Sequence, residues 1–157
     1  MDRTSSSGHL VFVYGTLKAG EPNHSVMADE ATGRAEFMGT GTMMKKYPLV
    51  IGSRYNIPFL LAHEGVGNNV QGEVYAVDDE KMKALDILEA YPRFYTRTQE
   101  PILLATGDTV VAWTYLLPVW REELMTSEHF VAYSSKGSHG REYVASEQCE
   151  AEEDLWK

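Results

Sequence analysis

Leu10-Val11-Phe12-Val13-Tyr14-Gly15-Thr16-Leu17-Lys18-Ala19-Gly20 is an unbroken apolar run that stops abruptly in Gly-Thr-Leu-Lys. An edge or half-exposed strand alternates apolar and polar residues, so this run predicts a central strand buried on both faces. Gly15 permits a tight turn and lets another group approach its backbone closely. The N–H groups of Gly15, Thr16 and Leu17 leave the strand ladder without evident partners. Buried unpaired donors need something negative, either a side chain or an anionic ligand. The residues alone leave two readings, a binding loop or an ordinary strand end. A phosphate loop is not supported, because Gly15 and Gly20 have its separation but Glu21-Pro22 follows. Nor does a third glycine open a helix at the offset of a dinucleotide fingerprint.

Outward from this strand, Asn23 is a candidate N-cap for a short helix over residues 24–29. Residues 33–45 alternate, with Ala35, Phe37, Gly39, Gly41 and Met43 on one face, and the glycines predict strong bending. Tyr47-Pro48 and Asn56-Ile57-Pro58-Phe59 read as loop punctuation around a short strand at residues 49–51. A turn cluster at residues 65–69 precedes a strand over 70–77, with Val70, Gly72, Val74 and Ala76 on one face. Residues 78–90 form the clearest helix, with Asp78 as N-cap, Asp79 and Glu80 in the first turn and Tyr91-Pro92 as the stop. Strands at 94–100 and 109–117 are separated by Pro101 and Gly107-Asp108, and a short helix follows within 119–125. Strands dominate, which predicts an α+β fold built on a small mixed, mostly antiparallel β-barrel with flanking helices.

At 157 residues the chain is long enough for one well-buried domain. The expected organisation is a flexible segment at residues 1–8, a single domain at 9–146 and an acidic, mobile tail at 147–157. A formal charge of −9 argues against nucleic acid and anionic membrane surfaces as partners. No membrane-length apolar run occurs, residues 1–8 show no apolar leader pattern, and Cys149 stands alone. These features together predict a cytoplasmic protein.

On the helix at 78–90, ~100° per residue places Met82, Leu85 and Leu88 in one buried stripe. Glu89 follows Leu85 by four and Met82 by seven, inside that stripe and in the last turn, where the helix dipole is negative. Desolvation and dipole both disfavour its ionised form, so the Glu89 carboxyl should titrate above its ordinary range. Proton-transfer chemistry uses such a group. Two other readings stand beside it, a snorkelling edge glutamate or a buried pair with Arg93 or Arg97. Asp86 flanks the same face, as a second carboxylate or, in the preferred reading, a solvated helix residue.

Other candidates carry less. His9, His24, His63, His129 and His139 lack zinc-ligand spacing and Cys149 adds none, so no metal site is expected. Thr16 lacks a nucleophile elbow or an adjacent base. Cys149 sits among acidic neighbours that raise a thiol's pKa. Trp113 and Tyr115 share a strand face and read as core, with Tyr115 also able to line a pocket.

The motif from Val11 to Lys18, followed by Pro22-Asn23-His24, resembles the N-terminal signature of the γ-glutamylcyclotransferase-like family. Tyr47-Pro48-Leu49-Val50-Ile51, Asn56-Ile57-Pro58-Phe59-Leu60-Leu61 and Gly72-Glu73-Val74-Tyr75-Ala76-Val77-Asp78 resemble its γ-glutamylamine cyclotransferase branch. The likeness continues through Leu85-Asp86-Ile87-Leu88-Glu89 and Tyr95-Thr96-Arg97-Thr98 to about residue 117, with a looser echo at 137–143. This resemblance implies a cofactor-free cyclisation of a γ-glutamyl group to 5-oxoproline with release of an amine. It matches the catalytic glutamate to Glu89 and the substrate-binding loop to Tyr14, Gly15, Thr16 and Leu17. The branch implies γ-glutamyl-ε-lysine, the isopeptide left by breakdown of transglutaminase-cross-linked proteins, as substrate. The acidic tail and the loop at 62–69, which bears on substrate access, depart from the family pattern. The alternatives are a preference for free γ-glutamyl amino acids, or a metabolite-binding module without turnover.

Overall fold

The computed structural model of the chain describes residues 8–21, 23–52, 57–120 and 122–134. The expectations for residues 1–7, the tail at 147–157, the 137–143 motif, His139 and Cys149 lie outside the described residues.

Five strands close a barrel in the order β1 (His9–Val13), β5 (Gln71–Val77), β2 (Ala35–Met43), β6 (Thr96–Leu104) and β7 (Thr109–Leu116). The pairings are antiparallel except where β1 meets β7, through Val11 and Trp113. With a neighbour on each edge, β1 is central, as its apolar run predicts. Phe12 and Tyr14 turn into a cluster with Met43, Val74, Ile102 and Ala112, one from each other barrel strand. Val11 and Val13 turn outward beneath Met27 of α1 (His24–Ala28) and Met82 and Leu85 of α2 (Asp79–Leu88). Both faces are therefore dry, and Val11 and Phe12 are 0% and 1% exposed. A second sheet, β3 (Leu49–Gly52) with β4 (Ile57–Leu60), pairs antiparallel and bridges to the barrel at Leu61 and Leu117. The last described helix is α3 (Glu122–Thr126).

Three sequence expectations are corrected, and one buried charge had no sequence expectation. Residues 57–60 form β4, not a loop, because Pro58 lies in a two-stranded sheet where its missing N–H is tolerated. Strand β6 runs through Pro101, which stands just beyond the β2 ladder that begins at Ile102. The alternation of β2 is broken at a bulge between Phe37 and Gly39, where Gly39 takes φ 141°. Phe37 pairs with Tyr75 but Gly39 with Val74, so the two residues face opposite ways and Phe37 is exposed. Lys81 is wholly buried in α2, where its ammonium donates to the Val26 carbonyl at 2.6 Å, the Asp29 carbonyl at 2.8 Å and Thr32 Oγ1 at 2.8 Å. No charge-pattern rule exposes such an anchor, which exists because the carbonyls ending α1 dock against the first turn of α2.

Candidate active site

Helix α2 is fixed at its start by Asp78, whose carboxylate accepts from the N–H groups of Lys81 at 2.9 Å and Arg34 at 3.1 Å. At its end, Tyr91 N–H donates to the Asp86 carbonyl at 2.9 Å and Ala90 N–H to the Ile87 carbonyl at 3.1 Å. Ala90 takes φ 52°, so the helix closes by a left-handed turn ahead of Tyr91-Pro92. Glu89 is thereby the C-cap residue, and its side chain lines a cavity of about 190 Å³ beside the exit of β1. Its carboxyl is pushed up to about 7, first by burial and second by the negative charge of Asp86. Sequence reasoning named the helix dipole as the second cause. The like charge of Asp86, three residues earlier, is a cause that the helix pattern does not reveal.

The loop leaving β1 faces the same cavity. Its carbonyls from residue 15 to 18 are occupied: Gly15 accepts from Lys18 N–H at 3.2 Å, Thr16 from Asn23 N–H at 2.8 Å and Lys18 from Glu21 N–H at 3.0 Å. The Leu17 carbonyl accepts from His24 Nδ1 at 2.9 Å. The N–H groups of Gly15, Thr16 and Leu17 bond to no group among the described residues. Three successive main-chain donors so arranged favour an anion. Asn23 stands at the N-cap position of α1 as expected, but its side chain makes no cap bond; its Nδ2 instead donates to Thr16 Oγ1 at 3.0 Å and braces the loop. Gly15 serves by close approach and not by positive φ, since a Cβ there would stand 2.9 Å from Pro58 Cγ. The pyrrolidine ring cannot fold aside, so Gly15→Ala is expected to cost about 1–3 kcal/mol by overpacking. A fall in Tm measures this; an unchanged Tm would show that the hairpin yields freely.

Tyr14, Tyr95 and Tyr115 complete the wall with Leu88, Phe59 and Phe94. Burial holds all three phenols well above their ordinary range, so they stay neutral. Tyr14 donates to the Tyr115 carbonyl at 2.7 Å, and Tyr115 donates to Asp86 Oδ1 at 2.6 Å. Asp86 is thus not a solvated residue. Arg97 binds it with two hydrogen bonds, and this is why Arg97 does not pair with Glu89.

Tyr14, Gly15, Thr16, Leu17 and Glu89, separated by up to 75 residues, therefore line one small cavity. The family model described as gamma-glutamyl cyclotransferase, AIG2-like, matches residues 11–134. The chain belongs to this family. It is 41% identical to the gamma-glutamylaminecyclotransferase of Homo sapiens over 145 residues, 85% of this chain and 95% of that one. The gamma-glutamylaminecyclotransferase of Rattus norvegicus is 39% identical over 140 residues, covering 85% and 94%. The crystal structure of an AIG2-like protein from Mus musculus matches with a TM-score of 0.87 at 38% identity, over 90% of this chain and 98% of that one. The barrel of this AIG2-like cyclotransferase is accordingly a fold shared with solved relatives.

Sequence reasoning missed Pro58, Tyr95 and the bracing roles of Asn23 and His24 in the AIG2-like site. Pro58 was hidden by its reading as loop punctuation. The Asn23-His24 pair stood in the quoted motif, but only the folded loop brings it back on Thr16 and Leu17.

Proposed function

We propose that this cavity cyclises γ-glutamyl amines, γ-glutamyl-ε-lysine among them, to 5-oxoproline. The observation that carries the reading is a carboxyl pushed up to about 7 in a cavity also lined by residues 15–17, whose main-chain N–H groups have no partner among the described residues. The volume lies below the roughly 300–1,000 Å³ of drug-sized pockets and suits a single amino-acid-sized group.

In the proposed reaction the substrate's own α-nitrogen attacks its γ-carbonyl. A C–N bond forms in the ring, the α-nitrogen gives a proton to Glu89, and the bond to the departing nitrogen breaks as Glu89 returns the proton to it. No water is consumed. Holding the substrate folded replaces a bimolecular encounter, with effective molarities of ~10⁵–10⁸ M available to well-oriented groups. A free α-amine has a pKa of about 8, so a base titrating near 7 is well matched to exchange its proton near neutrality. The N–H groups at residues 15–17 would hold the substrate carboxylate or the developing oxyanion. The lone Cys149 supports a cytoplasmic, reducing setting for the small-molecule substrate.

Offering γ-glutamyl-ε-lysine and γ-glutamyl-alanine side by side, with 5-oxoproline as readout, tests the reading. The expected result is faster product formation from the isopeptide. Preference for γ-glutamyl-alanine would reassign the substrate class, and no product from either would leave a binding module.

A further inference from the structure

Asp86 lies three residues before Glu89 on the same face of α2, with its side chain 22% exposed. Arg97 Nε donates to Oδ1 at 2.9 Å and Nη2 to Oδ2 at 3.1 Å. The guanidinium is itself held over the Tyr91 and Trp113 rings, 4.4 Å from each centroid. Oδ1 also accepts from the Tyr115 hydroxyl, and the Tyr115 carbonyl accepts from Tyr14. Hydrogen bonds thus run from Arg97 through Asp86 to the Tyr115 side chain, and Tyr14, where the loop of residues 15–17 begins, bonds to the main chain of the same Tyr115. Tyr14 and Tyr115 line the cavity beside Glu89.

We propose that Asp86 is a positioning residue for proton transfer at Glu89: it holds the Tyr115 side chain in the cavity wall and, balanced by Arg97, sets the charge beside the Glu89 carboxyl. The inference rests on the reading of Glu89 as the proton carrier. The titratable groups facing Glu89 are Tyr14 at the end of β1, Tyr95 ahead of β6, Tyr115 of β7 and Asp86 of α2, with Arg97 of β6 behind Asp86. The three phenols are neutral, so Asp86 is the ionised neighbour acting on Glu89 among the described residues. Its effect is upward, in keeping with a like charge.

Two variants separate charge from shape. Asp86→Asn keeps an oxygen to accept from Tyr115 but removes the charge and leaves Arg97 unbalanced. The acid limb of the kcat/KM profile for 5-oxoproline formation, and the Glu89 carboxyl titration followed by carbon NMR, should both move down by about one pH unit. Arg97→Gln removes the balancing cation, and both readouts should move up. A merely structural network would shift neither, or would disturb both variants alike. Unmoved titrations, or shifts of the same sign in the two variants, overturn the proposal. If Asp86→Asn fails to fold, the direction of the Arg97→Gln shift decides alone. The NMR titration reads Glu89 without turnover, so a Glu89→Gln enzyme that stays active would sink the proton-carrier reading and leave the Asp86 coupling measurable.

Discussion

Glu89→Gln is expected to lower 5-oxoproline formation by about 10²–10⁴-fold, the usual contribution of a positioned general acid–base. The amide matches the carboxyl in size, so the fold and ligand binding should persist. Stability should rise at neutral and alkaline pH, with the sign set by linkage. The folded carboxyl titrates near 7 against an ordinary value of 4.5, so between these values it holds a proton that the unfolded chain has released. The wild-type protein therefore loses stability as pH climbs through that window, by up to about 3 kcal/mol, and the loss levels off above it. Gln cannot ionise and escapes the loss. Urea melts should show the variant ahead of wild type at pH 8 and level with it at pH 4. Wild-type turnover in the variant would mean that another group moves the proton. Equal stabilities at pH 8 would mean that the carboxyl is not desolvated.

Lys81→Met should produce the largest loss of stability. The substitution nearly conserves volume but leaves the Val26 and Asp29 carbonyls and Thr32 Oγ1 without an ammonium donor. Hydrogen bonds from a charged donor are worth about 1.5–3 kcal/mol each, partly offset because an ammonium no longer has to be desolvated. A net cost of about 2–3 kcal/mol follows, which lowers the urea midpoint by roughly 1 M. The effect should reach the site as well. Helix α1 begins beside Asn23, whose side chain braces Thr16, so a loosened α1 should raise KM more than it lowers kcat. A midpoint unchanged from wild type would show that these acceptors find other partners.

Local pattern was enough for β1, for α2 with its Asp78 cap, and for a Glu89 carboxyl displaced into an apolar stripe. Each of these follows from nearest-neighbour physics, namely burial of an apolar run, satisfaction of the first N–H groups of a helix, and 3.6-residue periodicity. Asp86 shows where that physics stops. Its position in the stripe was legible, but the reading as solvated failed because Arg97 and Tyr115 come from two other strands. Pro58 and Pro101 misled for a related reason. A proline breaks a ladder only where a neighbour needs its N–H, and the identity of the neighbour is a fact of topology.

The sequence by itself thus determined which strand is central, which carboxyl is misplaced for water and which loop has amides to spare. The fold alone decided that these meet in one cavity, that the carbonyls of residues 15–18 are taken while the amides of residues 15–17 have no partner among the described residues, and that a half-buried acid–guanidinium pair stands behind Glu89. Periodicity acts over a few residues along the chain, whereas a barrel closing β1 onto β5 and β7 sets contacts across 60 to 102 positions. No local rule carries information over that distance.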